Sequence, residues 1–393
     1  MVESKLKVLM IVLSSVAPDV RVEKEARFLT QNGHNVTILA IDRKGDLLRE
    51  EKRDGYKIIR FQSKKKLFFK YFEFWKNVID YVKDFTYDII HFHDLNVLPL
   101  ASKLRKNAKV LIYDAHENFP EQMSETYGVI AYWVYTLIEK HYLKYIDGIV
   151  TAGITYSQNI KRKYGRNSIW VSNYPSLIDV ELAHKKPIPD EYKKRERLRV
   201  VYFGVMYSNL GYDKVVKTAN YLRDKISPEN LKFLIIGSGP AYEPMKKLIE
   251  KYNLKPYFHL TGWMEYSLAL SVLRTCDVGL ILFQPGKNNY LRIPNRLYEY
   301  CSAGVCYIGS NFPGIREGTK YSKKFGLLVN ATSPRKIAEK ILYLYNNYEE
   351  TEEMKKIAKE AFQKVFNWEK EAPKLLKLYN ECLKKNKTRE YNE

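Results

Sequence analysis

Pro294 to Gly304, PNRLYEYCSAG, sets one carboxylate, Glu299, beside an apolar face formed by Leu297, Tyr300 and Cys301 at helical spacing. Proline at the first position sacrifices no hydrogen bond and Gly304 tolerates a left-handed end, so the pattern predicts a helix. Residue statistics alone leave two readings for Glu299, a surface ion pair or a ligand carboxylate. Two further segments concentrate titratable groups: HFHDLN from His91 and YDAHENFPE from Tyr113. Both follow apolar runs, which puts His91, His93, Asp94, Asp114, His116 and Glu117 at strand ends. His116 is expected to titrate or hydrogen-bond near neutral pH, while His91 also reads as a satisfied core histidine. No HExxH or other regular ligand spacing occurs, so no metal is expected. FLIIGSGP (Phe233 to Pro240) and VYFGV (Val201 to Val205) each end a strand in small residues, Gly237, Gly239 and Gly204. Such loops either cradle phosphate at a helix N-terminus or serve only as tight turns.

The elements that must hold these groups alternate in a regular way. Short apolar runs at Lys7–Leu13, Asn35–Ile41, Asp88–Phe92, Val110–Tyr113 and Gly148–Thr151 predict strands separated by helical patterns, the grammar of a parallel sheet covered on both faces. The pattern breaks near Asn173-Tyr174-Pro175, and the charged stretch to Arg199 reads as a linker. It then restarts with strands at Val200–Phe203, Phe233–Ile236, Phe258–Thr261, Val278–Phe283 and Val305–Ile308. The expected fold is therefore α/β: two Rossmann-like domains facing each other across a cleft. The boundaries are 1–177 for the first domain, 178–199 for a linker, 200–366 for the second domain and 367–393 for a C-terminal helix starting at Trp368.

The chain has 393 residues, long enough for two cores. Its four cysteines show no paired spacing and read as reduced thiols of a cytoplasmic protein. No apolar run reaches spanning length, and that from Val8 to Leu13 is too short for a signal peptide. A net charge of +21 implies anionic partners. Nucleic acid is disfavoured because the aromatics near lysines form no recognisable binding motif. The segment 63–85 joins Lys64, Lys65 and Lys66 to a stripe of Phe68, Phe72, Trp75 and Ile79, widened by Leu67, Phe74 and Phe85. It reads either as packing on the first sheet or as peripheral contact with an anionic cytoplasmic membrane.

In order, SVAPDVRVEKEARFLTQNGHNVTILA, DIIHFHD, VLIYDAHENFPE, WVSNYP, VVYFG, FLIIGSGP, FHLTGWM, CDVGLILFQP and PNRLYEYCSAGV resemble the motifs of GT-B glycosyltransferases, most like the retaining family 4. The resemblance runs from about Lys7 to Tyr379. It implies a hexose transferred from a nucleoside diphosphate sugar, with no cofactor, to an acceptor hydroxyl during glycolipid, polysaccharide or glycoprotein glycan synthesis. It implies that Glu299 binds donor ribose hydroxyls, that Arg292, Asn295 and Arg296 lie near the diphosphate, and that Gly204, Gly237, Gly239 and Gly262 border the donor. His116 and Glu299 become the catalytic candidates, and Arg21, His93, Asp94 and Glu117 the acceptor-side ones. The last helix is implied to brace the first domain, and the absence of a DxD motif agrees with metal-independent transfer. Three positions depart from the family pattern: Leu291 replaces an earlier Glu, Val205 an Arg and Leu210 a Lys. Lys214, Lys217 and Arg296 are candidates to replace the missing charge. A non-catalytic partner subunit and a nucleotide-sugar epimerase stand as alternatives.

Overall fold

Near-continuous burial along KVLMIV (β1, Lys7–Val12) and YDIIHFH (β5, Tyr87–His93) marks strands covered on both faces, as parallel sheets require. The structure is a computed structural model that describes residues 5–63, 69–320, 322 and 324–390. It divides into two compact units, Met1–Asn173 with Glu371–Glu393, and Tyr174–Lys370.

The first unit adds β2 (Asn35–Asp42), β3 (Glu50–Arg53), β4 (Tyr56–Gln62), β6 (Ala108–Ala115), β7 (Gly148–Thr151) and β8 (Ile169–Trp170). Their order is β3-β4-β2-β1-β5-β6-β7-β8, parallel except where β3 meets β4. The second unit holds β9 (Leu198–Phe203), β10 (Leu231–Ile236), β11 (Phe258–Gly262), β12 (Val278–Ile281), β13 (Cys306–Ser310) and β14 (Gly326–Val329). These form an all-parallel sheet ordered β11-β10-β9-β12-β13-β14. In each sheet the strand order reverses beside the unit's first strand, β1 or β9, the place where doubly wound folds collect ligand-binding loops.

Strands β3, β4, β8 and β14 were not legible as strands. EEKR of β3 is wholly charged, as a short edge strand tolerates. β4 is interrupted by Arg60, which is buried and donates to the carbonyls of Ser15 and Leu48. The expected linker 178–199 requires correction, because it begins inside a helix, Leu177–Lys185, capped by the Ser176 hydroxyl and burying Val180 and Ala183. The terminal helix also begins later than Trp368. A short turn, Trp368–Glu371, precedes the main helix Pro373–Glu390, and Pro373 has no amide with which to continue it.

That helix packs on the first unit's sheet. A Cβ at Gly148 would lie 2.9 Å from Cys382 Sγ and 3.3 Å from Leu378, so glycine there permits the close approach. In the helix Phe69–Val82 the buried residues are Phe74, Val78 and Val82. The stripe expected through Phe72 is therefore displaced, Phe74 is core, and Phe69 and Phe72 are exposed. Lys64, Lys65, Lys66, Leu67 and Phe68 lie outside the described residues.

Candidate active site

Parallel pairing of β5 with β6 sets His93 opposite Asp114, and alternation along β5 puts His91 on the same face as His93, their rings stacked 4.3 Å apart. The helix Val20–Gln31 brings Arg21 and Glu25, one turn apart, over this pair. Arg21 grips Asp114 with two 2.8 Å hydrogen bonds and gives a third, also 2.8 Å, to the Val171 carbonyl. Glu25 lies 3.3 Å from the same guanidinium. From below, Tyr379 of the helix Pro373–Glu390 brings its hydroxyl 2.7 Å from His91 Nδ1.

His116 stands at the outer edge of this network with its side chain 17% exposed. Its Nε2 is 3.0 Å from His93 Nδ1 and 3.3 Å from Asp114 Oδ2, and its Nδ1 is 3.4 Å from Asp94 Oδ2. Asp94 also accepts a 3.0 Å bond from the His116 amide. It does so from left-handed backbone, φ 72°, a conformation that aspartate adopts more readily than most residues and that gathers at functional sites.

The charges follow from these neighbours. Burial opposes a charge on His116, but the Asp94 and Asp114 carboxylates outweigh it and raise its pKa to about 9. Burial likewise disfavours the Asp114 carboxylate, yet Arg21 and His116 hold it well below the usual carboxylate range. Burial, with Asp114 close by, lifts Glu25 to about 8, so it is a neutral acid at pH 7. His91 and His93 are pushed down by burial and stay neutral. His116 is therefore a held imidazolium, donating to the neutral His93 ring, rather than a group titrating near pH 7. A cation already protonated cannot act as a general base.

Of the residues that the family resemblance implies for the acceptor side, Arg21 and His93 are buried, whereas Asp94 and Glu117 are partly exposed. Glu25, His91, His93 and Asp114 present ligand atoms within 4.8 Å of one another. The donor set does not fit a metal ion, because both Asp114 oxygens are held by Arg21 and that guanidinium already supplies the cation.

In the second unit the loops after β9 and β10 interlock. The amide of Gly204 donates to Ile236 O, and Met206 N to Ser238 O. A Cβ on Gly237, whose φ is +128°, would lie 2.2 Å from the Gly204 carbonyl oxygen, and one on Gly239 would lie 2.6 Å from that of Met206. These glycines are thus required by loop-on-loop contact. The Gly262 carbonyl accepts from Gly237 N, and the adjacent Trp263 is 78% exposed.

Beside this platform runs the helix Asn295–Ala303, with Pro294 as its cap and Gly304 ending it in left-handed backbone, φ 68°. Its Arg296 guanidinium sits 4.8 Å over the Tyr202 ring, and a Cβ on Gly204 would be 3.4 Å from Arg296 Nη2. Glu299 is half-buried and accepts a 3.0 Å bond from the Tyr266 hydroxyl, a partner too distant along the chain for any local pattern to reveal. Asn295 and Arg292 are exposed, the latter's guanidinium 5.8 Å from the Phe283 ring centre.

The family model described as Glycosyltransferase Family 4 matches residues 19–173, and that of Glycosyl transferases group 1 matches residues 185–361. The chain belongs to this glycosyltransferase family. An uncharacterized glycosyltransferase of Methanocaldococcus jannaschii is 22% identical over 286 residues, covering 71% of this chain and 70% of the relative. Sucrose-phosphate synthase from Thermosynechococcus elongatus superposes with a TM-score of 0.75 at 16% identity, covering 96% of this chain and 99% of that one. The Anabaena protein HepE, solved with UDP and glucose, gives 0.73 at 12% identity, covering 95% and 98%. These likenesses show the GT-B fold.

Within this family 4 glycosyltransferase the three departures are now located. Val205 is exposed, Leu210 is core and Leu291 is half-buried. Lys214 and Lys217 are both tied to Asp213, at 3.0 and 3.1 Å. Arg296 lies against Gly204, its Nη2 3.5 Å from the Val205 carbonyl.

Proposed function

We propose that this glycosyltransferase moves a hexose, with retention, from a nucleoside diphosphate sugar to an acceptor hydroxyl. The observation that carries the reading is Arg296 beside the interlocked glycine loops, on the same helix as Glu299. A cation next to Gly204 stands where Val205 has removed the family's usual charge, which favours a rearranged phosphate site over a lost one and so disfavours the non-catalytic alternative. The guanidinium and the exposed amides near Pro294 stabilise the leaving diphosphate without a metal, and the leaving phosphate takes the acceptor proton. Glu299 accepts ribose hydroxyls, with Gly237, Gly239, Gly262 and the exposed Trp263 bordering the base. Asn295 and Arg292 flank the phosphates. In the first unit His116, with Asp94 and Glu117, serves the transferred sugar and the acceptor as a fixed charge and hydrogen-bonding edge.

Among the described residues no helix is long and apolar enough to cross a membrane. The acceptor is a lipid-linked or saccharide hydroxyl, and the segment 63–85 contacts an anionic membrane, which suits a peripheral cytoplasmic enzyme. Among the solved structures of similar fold, one from E. coli is bound with UDP-2-fluoro glucose, and another, of trehalose-6-phosphate synthase, concerns enzymatic glycosyltransfer with retention.

The test is a thermal-shift series with UDP-, GDP-, ADP- and CDP-sugars, since a ligand of the folded state raises its melting temperature by mass action. One donor class should stabilise the wild type, and Glu299→Ala should weaken it by about 2–3 kcal/mol, the size of a charged hydrogen bond pair. Glu299→Gln should recover only part of that loss. Unchanged donor affinity in a folded Ala variant refutes the ribose role, and release of an epimerised nucleotide sugar without acceptor favours the epimerase.

A further inference from the structure

Helices on a sheet ordinarily bury an apolar stripe and show charge to water. The helix Val129–Tyr142 does the reverse. Its one buried residue is its one carboxylate, Glu139, which accepts from the hydroxyls of Tyr113 at 2.8 Å, Tyr156 at 3.1 Å and Tyr164 at 2.6 Å. Its apolar side chains face outward: Ile130 is 76% exposed, Leu137 63% and Trp133 59%, with Val129 and Val134 alongside. Those five positions follow the helical spacing of a single stripe. With 14 residues the helix is about 21 Å long, and no such contiguous face is expected to stay bare in water.

The stripe does not stand alone. The helix Phe69–Val82 of the same unit also leaves Phe69 and Phe72 exposed, at 72% and 61%.

Charge decides what covers them. Between Tyr127 and Ile138 there is no charged residue, while Lys140 and Lys144 at the far end are exposed. A second copy would bring another +21 against the first, a repulsion that opposes self-association. An anionic surface gains from the same charge. An apolar face with Trp133 on it and lysines at one end matches a helix lying in the plane of lipid head groups.

We propose that the Val129–Tyr142 helix, with Phe69 and Phe72, inserts its outer face into an anionic bilayer, without crossing it. The surface begins close to the site in sequence, since the helix Phe119–Tyr127 links it to His116. The inference extends the membrane contact assigned to 63–85 and does not depend on sugar transfer.

The experiment is co-sedimentation of the full chain with phosphatidylglycerol-containing vesicles and with pure phosphatidylcholine vesicles, at low and high salt. The wild type should bind anionic vesicles preferentially. The triple variant Ile130→Glu, Trp133→Glu, Leu137→Glu, whose changes are all at exposed sites, should melt like the wild type and bind about tenfold more weakly or less. Vesicles with brominated acyl chains should quench tryptophan emission of the wild type more than that of Trp133→Phe. Three results each overturn the proposal: no binding to anionic vesicles, equal binding by the triple variant, or a dimer that the triple variant dissociates while vesicles bind neither. A donor-induced thermal shift preserved alongside any of these leaves the transferase reading intact and removes the docking surface alone.

Discussion

His116 shows how far residue type carries an argument before geometry is needed. HENF after an apolar run locates a histidine at a strand end, but its charge depends on Asp94 and Asp114, which approach from two other segments. With the folded pKa raised to about 9 and an unfolded value of about 6.5, the sign is fixed. The folded state binds the proton more tightly, so the stabilisation is fully present below about pH 6.5 and is lost as pH rises through about 9. Urea-unfolding midpoints should therefore fall across that interval in the wild type and fall less in His116→Ala; equal slopes would mean His116 is not the group responsible. Of the groups around it, Arg21 stays charged and Asp114 stays ionised, whereas Glu25, lifted to about 8, loses stabilisation with the same sign as pH rises and leaves a residual slope in His116→Ala. Turnover of His116→Ala should drop at least about tenfold, the range of a lost charged contact in a transition state, with donor thermal shift retained. Glu25 and Tyr379 were not legible as members of this network, because partners distant in sequence leave no local pattern.

Among the elements, the loops that looked like phosphate cradles are glycine-rich for a reason that precedes any ligand. The turns after β9 and β10 touch backbone to backbone, and Gly237 leaves no room for a Cβ against the Gly204 carbonyl. Gly237→Ala should destabilise the second unit by about 3 kcal/mol, from positive-φ strain together with the clash, read as a shift in its unfolding transition; a change under about 0.5 kcal/mol, the size of a neutral surface substitution, would show that the loops part freely. Most interior strands were legible because buried parallel strands are continuous apolar runs; β4 was not, because the buried Arg60 breaks its run. The edge strands β3 and β8 were not, one being all charged and the other two residues long. Apolar periodicity could not have revealed the Val129–Tyr142 helix as inverted either, since a stripe facing water has the same period as one facing the core. Its orientation is set by Glu139, drawn inward by three tyrosines.

At the scale of the molecule, the chain's last helix belongs to its first unit, which makes the two units unequal in what they need. The unit Tyr174–Lys370 is one continuous stretch, whereas the other is closed by residues from Glu371 onward. Glu371 accepts a 2.8 Å bond from the Ser172 amide, Lys374 lies over the Trp170 ring, and Tyr379 meets His91. Leu375, Leu378 and Cys382 are buried with them. Ending the chain after Lys370 removes all of these and exposes the apolar surface of β6 and β7. The helix buries three large side chains, Leu375, Leu378 and Tyr379, together with Cys382; at roughly 1.5–3 kcal/mol for each large one the loss is comparable to the whole stability of an ordinary domain. The truncated protein should therefore show rapid proteolysis confined to residues before Asn173, with a resistant fragment close to 174–370. That fragment should keep its donor-induced thermal shift, because Arg296, Glu299 and the glycine loops all lie within it. Uniform digestion of both units, or a first unit that stays resistant, would show that the last helix is not what closes the first sheet.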